Sequence, residues 1–112
     1  MFSIDNINWH DGLLESITIS MSSINGITRC IDINVRIYIT SDAIERSLTK
    51  LHFTDVDNVV LNCDLLELQD NISAGNISNG YLKQTIHGQN LLRIYLIDGY
   101  IEIIYGGVSE AT

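Results

Sequence analysis

Trp9-His10-Asp11-Gly12 is the segment whose residue types and spacing could do chemistry. A histidine beside a carboxylate can serve as a general base or a metal ligand, and Trp9 could wall a pocket next to it. A catalytic histidine also needs an orienting partner in space, which adjacency along the chain does not supply. A structural account covers the same residues: Trp9 anchors the chain start in the core, Asp11-Gly12 makes a turn, and His10 caps a backbone group. Trp9→Ala is therefore expected to destabilise the fold far more than His10→Ala. Trp9, His10 and Asp11 stand as candidate binding residues, alongside the aromatics Tyr38, Tyr81 and Tyr95, and no catalytic residue is assigned.

Metal chemistry lacks its parts. Asp55-Val56-Asp57-Asn58 has the grouped oxygens that a hard cation prefers. The sixth position of such a calcium loop would be Val60 instead of glycine, and the twelfth would be Leu66 instead of glutamate. The acids Asp55, Asp57, Asp64, Glu67 and Asp70 are better read as a solvated edge that resists strand-to-strand aggregation. His10, His52 and His87 with Cys30 and Cys63 show no zinc-ligand spacing. Neither a nucleophile elbow, a phosphate loop nor a dinucleotide fingerprint occurs. No metal and no cofactor are expected.

The 112 residues make one domain, 1–112, with material for a single core. A net charge of −8 repels phosphate backbones, which argues against nucleic acid and suits a basic protein partner. The start lacks a basic, apolar signal segment, and no apolar run approaches the ~20 residues that span a bilayer. The expectation is a cytoplasmic protein with reduced cysteines and no membrane association.

The elements that must position these residues are strands. Nineteen isoleucines favour them, and the chain has no proline. Leu91 to Tyr105 reads as a hairpin around Asp98-Gly99, a pair suited to a type I′ turn. That turn would set Leu96 opposite Ile101, Ile94 opposite Ile103 and Leu92 opposite Tyr105, with Arg93 and Glu102 on the other face. Leu13 to Ser22 and Ile27 to Thr40 alternate as two more strands. A bulged loop of Ile24-Asn25-Gly26 pairs Ile17 with Ile33 and Ile19 with Ile31, where a two-residue loop would scramble both faces. Ser41 to Leu48 reads as a short helix, with Asp42 and Glu45 as a capping pair and Ile44 and Leu48 as its apolar stripe. Strand resumes from Lys50 to Leu68 with a break at Asp55 to Asn58. Gln69 to Gly80 reads as a polar loop, Tyr81 to His87 as a weak strand, and Gly106 to Thr112 as a frayed tail. The fold class is mainly β: an antiparallel curved sheet, sandwich or partly open barrel of six or seven strands, with one long curved sheet preferred.

Trp9-His10-Asp11-Gly12-Leu13-Leu14, followed by Ile17 and Ile19, resembles the opening of small bacterial proteins of unknown function. Phe53-Thr54-Asp55-Val56 and the terminal hairpin resemble them too. Some proteins of that kind are assigned as toxin-immunity proteins, as with the immunity protein 50 family. The resemblance implies a bacterial, non-enzymatic protein and carries over no site residue. The expected function is thus a protein-binding module, immunity-type, facing a basic partner. The alternative is a small-molecule binder or enzyme with a pocket around Trp9 and His10, and a homodimer closing an exposed sheet edge is a third possibility.

Overall fold

Eight antiparallel strands form two four-stranded sheets in this computed structural model, which describes residues 3–22, 28–38, 42–66 and 76–111. The strands are β1 (Asn8–Ser22), β2 (Thr28–Tyr38), β3 (Ser47–Thr54), β4 (Asn58–Cys63), β5 (Ile77–Gln84), β6 (Asn90–Leu96), β7 (Gly99–Tyr105) and β8 (Gly107–Ala111). Sheet 1 has the order β1-β2-β3-β8 and sheet 2 the order β4-β7-β6-β5. The fold is mainly β as expected, but as two sheets with no closed barrel instead of one curved sheet.

Alternation decides which side each strand buries. Ile31, Ile33, Val35 and Ile37 of β2 join Leu51 and Phe53 of β3 on one inner face. Leu92, Ile94 and Leu96 of β6 join Ile101, Ile103 and Tyr105 of β7 on the other. The two faces meet in one core, where Phe53 packs edge-on against Tyr105 at 5.0 Å between ring centroids.

The β1–β2 register is the expected one, Ile17 opposite Ile33 and Ile19 opposite Ile31; the connecting loop lies outside the described residues. The terminal hairpin buries the expected face but slips by two residues. Ile94 lies opposite Ile101 and Leu92 opposite Ile103, and the turn falls on Ile97 and Asp98. None of Ile97, Asp98 and Gly99 takes a positive φ, so the turn is not type I′. Two tertiary contacts explain the slip. The Ile97 amide donates to Asn76 O at 3.1 Å, and Gly99 pairs with Cys63 so closely that a Cβ would overlap Asn62 O. Gly99 serves close approach of β4, not turn conformation. A two-residue slip preserves strand parity, so every side chain keeps its face.

Other expectations fail at the short or polar segments. Residues 42–46 form turns and bends, and Ser47 and Leu48 begin β3, so the expected helix near 41–48 is not there; Ser41 itself lies outside the described residues. Its stripe had nothing to pack on, since Ile44 is 91% exposed, and two turns of helix do not persist unsupported. Ile77 to Gly80 belong to β5, with Ile77 fully buried, where a loop was expected. The supposed tail is β8, paired along β3 from Thr54↔Gly107 to Lys50↔Ala111. The break at 55–57 is real. Asp55 there takes φ 50, Val56 is buried, and the chain crosses from sheet 1 to sheet 2. Gly106 makes the return crossing, its amide donating to Thr54 O and Asp55 O at 3.1 Å each, so the two corners hold one another.

Candidate functional site

Three rows of side chains cross the outer face of sheet 2, because residues opposite one another in antiparallel strands share a face. The rows are Asn79–Tyr95–Tyr100–Asn62, Tyr81–Arg93–Glu102–Val60 and Lys83–Leu91–Ile104–Asn58. Arg93 is the hub. Its Nε donates to Glu102 Oε2 at 3.1 Å, its Nη2 donates to the same oxygen, and its Nη1 donates to the Tyr95 hydroxyl at 3.2 Å. Its guanidinium carbon lies 5.9 Å from the ring centroids of both Tyr95 and Tyr100, within cation–π range. Tyr81 leans on Tyr95 with ring centroids 5.9 Å apart and hydroxyl oxygens 3.4 Å apart.

These contacts polarise the phenols in opposite senses. The Tyr95 oxygen accepts from Tyr81 and from Arg93, which lowers its pKa below the ordinary phenol value. Tyr81 holds its proton more firmly, chiefly because its hydroxyl is engaged with Tyr95. Arg93 is held still more firmly protonated by Tyr95 first and Glu102 second. The arrangement fixes three tyrosines and an arginine on a flat, partly exposed surface. It offers broad amphipathic contact.

The sequence-selected residues divide. Tyr81 and Tyr95 come together here, while Tyr38 lies at the end of β2 in sheet 1, paired with Asn8. Trp9 is 4% exposed and belongs to the core, as the structural account held. It rests on Gly80 of β5, where a Cβ would stand 2.6 Å from Trp9 Cγ. His10 is exposed, its Nδ1 2.8 Å from Ser78 O and its Nε2 3.4 Å from Asp11 Oδ2. Asp11 and Gly12 make no turn. They form an irregularity within β1, where Asp11 takes φ 63 and the register with β2 shifts between Asn8 and Leu13.

Among the described residues, clefts open to a ligand include two that neither Trp9 nor His10 lines. One, of about 440 Å³, has Asp5, Lys83, Gln84, Asn90 and Tyr105 in its wall; burial, and secondarily Asp5, pushes the Tyr105 hydroxyl up. The other, of about 250 Å³, is more apolar and sits between Ile19, Met21, Ile31, Val56 and Val59.

One arrangement went unnoticed in the sequence. Thr18, Asp32, His52 and Ser109 stand side by side across the outer face of sheet 1. Asp32 Oδ1 lies 2.7 Å from His52 Nδ1, the contact that orients a histidine in hydrolytic sites. No hydrogen bond joins Ser109 to His52, and the row lies on an open sheet face without a strained turn to present an oxyanion site. We read it as a polar ladder. Finding it required the β2–β3 and β3–β8 pairings, which no local pattern encodes.

Among the described residues no group of three or more His, Cys, Asp or Glu side chains could hold a metal. Asp57 instead meets Arg29 at 3.4 Å and Gln89 at 2.5 Å. No described helix is long and apolar enough to cross a membrane. No family model, curated protein or solved structure matches the chain.

Proposed function

We propose that this protein is a non-catalytic protein-binding module that presents the outer face of sheet 2 to a basic protein partner in the cytoplasm. The observation that carries the reading is the set of Tyr81, Tyr95 and Tyr100 held around Arg93. Tyrosine and arginine dominate the energetic centres of protein interfaces, because they offer large contact area with few rotatable bonds. Here hydrogen bonds among Tyr81, Tyr95 and Arg93 have already restricted their rotamers, which lowers the entropy lost on binding. The net charge of −8 favours steering of a positively charged partner. Arg29, Arg36 and Arg93 are each paired with an acid, so the surplus negative charge is displayed elsewhere.

An immunity-type role, binding and blocking a toxin, accords with the resemblance of the Trp9-to-Leu14 opening. The partner to test is the protein encoded beside this one, since immunity proteins are commonly encoded next to their toxins. Titration calorimetry should give a complex that weakens as salt rises from about 50 to 500 mM, because exposed charges are screened within about 8–10 Å at physiological salt. Tyr95→Ala and Arg93→Ala should each lower affinity about tenfold or more while circular dichroism stays unchanged. Binding indifferent to both substitutions would remove this face from the interface.

A further inference from the structure

Three of the strands at the sheet edges carry features that discourage pairing with another chain. β1 has two register irregularities plus Asp11 and Glu15, β5 has one irregularity plus Lys83, and β8 is five residues long with Glu110. Charges, bulges and shortness are the usual protections of an exposed edge. β4 has neither charge nor bulge. It reads Asn58-Val59-Val60-Leu61-Asn62-Cys63, and it alone of the eight described strands lacks a charged side chain. Its register with β7 runs unbroken from Asn58↔Ile104 to Cys63↔Gly99, so the strand is regular. No other described strand lies on its far side, and Val60 and Leu61 are 36% and 46% exposed.

We propose that β4 is a homodimerisation edge, where a second copy of this chain pairs antiparallel with its own β4. Charge selects that occupant. Two molecules of net charge −8 repel over most of their surfaces, and a strand without charges is where they can touch at least electrostatic cost. Register selects it too. Centred on Val60, the pairing sets Val60 against Val60, Val59 against Leu61, and Asn58 against Asn62 of the second copy. Apolar residues then meet apolar residues, amides meet amides, and no like charges are opposed. The two-fold axis stands perpendicular to the sheet, so sheet 2 becomes an eight-stranded sheet with both tyrosine–arginine faces on the same side.

Sedimentation velocity over about 1–500 µM tests the proposal. Wild-type protein should shift toward twice the monomer mass as concentration rises. The dimer fraction should grow with salt, the reverse of partner binding, because screening relieves repulsion between two acidic copies. Val60→Lys places two ammonium groups face to face at the two-fold axis. It should leave the protein monomeric throughout the range, with circular dichroism unchanged and a melting temperature equal to that of the wild type at concentrations where the wild type is monomeric. Hydrogen exchange on the wild type gives a second reading, since β4 amides should gain protection as concentration increases. A wild type that remains monomeric at 500 µM, or β4 amides whose exchange ignores concentration, overturns the proposal. So does a folded Val60→Lys variant that dimerises like the wild type.

Discussion

Replacing Gly80 with alanine probes how β1 closes one side of the sandwich. Gly80 lies on the inward side of β5, opposite Ile94, directly beneath the Trp9 ring. A Cβ there would stand 2.6 Å from Cγ, 2.9 Å from Cδ1 and 3.0 Å from Cβ of Trp9. Ordinary carbon contacts are about 3.5–4.0 Å, so the indole must retreat by about 1 Å. It has little room, being 4% exposed and part of the packed core. Overpacking of this kind costs about 1–3 kcal/mol. Alanine also stiffens the unfolded chain, which returns about 0.4–1 kcal/mol. The expected net loss is about 1–2 kcal/mol. Trp9 is the chain's single tryptophan, so its emission during a urea titration reports stability and the indole's surroundings together. Trp9→Ala alone should cost about 3–5 kcal/mol. In that background the Gly80→Ala methyl enters vacated space, so its cost should vanish and the double-mutant cycle should show coupling of about 1 kcal/mol or more. A Gly80→Ala protein as stable as wild type, with unshifted emission, would mean that Trp9 does not sit on β5.

Ile103→Ala should lose about 2–4 kcal/mol in denaturant melts, since Ile103 is fully buried between the sheets. Gly99→Ala should cost about 1–3 kcal/mol by overpacking, and hydrogen exchange should show the loss concentrated in β4, whose backbone at Asn62 the methyl would strike. Spectrophotometric titration should find Tyr95 ionising below the ordinary phenol value, and Arg93→Gln should move it upward by removing a donor and a positive charge. Because Tyr95 is depressed in the folded state, its stabilising contribution is complete above the unfolded pKa and is lost as pH falls through the folded one. Tyr81, raised, behaves oppositely: its contribution is present below the unfolded value and lost as pH rises through the folded one. Cys63, whose thiol is pushed up by burial, should react with iodoacetamide at pH 8 more slowly than an unfolded control, because less of it is thiolate.

Strand parity was legible in the sequence wherever long apolar runs alternate. β2 and the β6–β7 hairpin show this, and parity also placed Arg93 and Glu102 together on the outer face. Register was legible only where a slip would have crossed faces, as between β1 and β2. The two-residue slip of the hairpin crosses no face, so local pattern is silent on it; the contacts of Asn62 and Asn76 decide it. Asp42 and Glu45 imitated a helix cap, yet nothing along the chain announced that Ile44 would lack a surface to cover. β8 is short and polar because it is an edge, and short polar edges read as tails. Of the site, Tyr81 and Tyr95 stood out in the sequence only as aromatics that could centre a contact patch. Their union, and the distance of Tyr38 from them, depended on sheet order, which is a long-range property.

The corner at Gly106 bears on how the chain is made. Strands β1 to β3 emerge first during synthesis, and their inner face of Ile31, Ile33, Leu51 and Phe53 has no cover until β6 and β7 exist. β3 then lacks its outer neighbour until the final strand has crossed back at Gly106. Because these pairings join distant parts of the chain, folding should fall in the millisecond-to-second range typical of non-local β topologies. The newborn N-terminal half therefore waits as an open, sticky ribbon, and a chain halted before residue 107 keeps β3 paired to β2 on one side with its other edge bare.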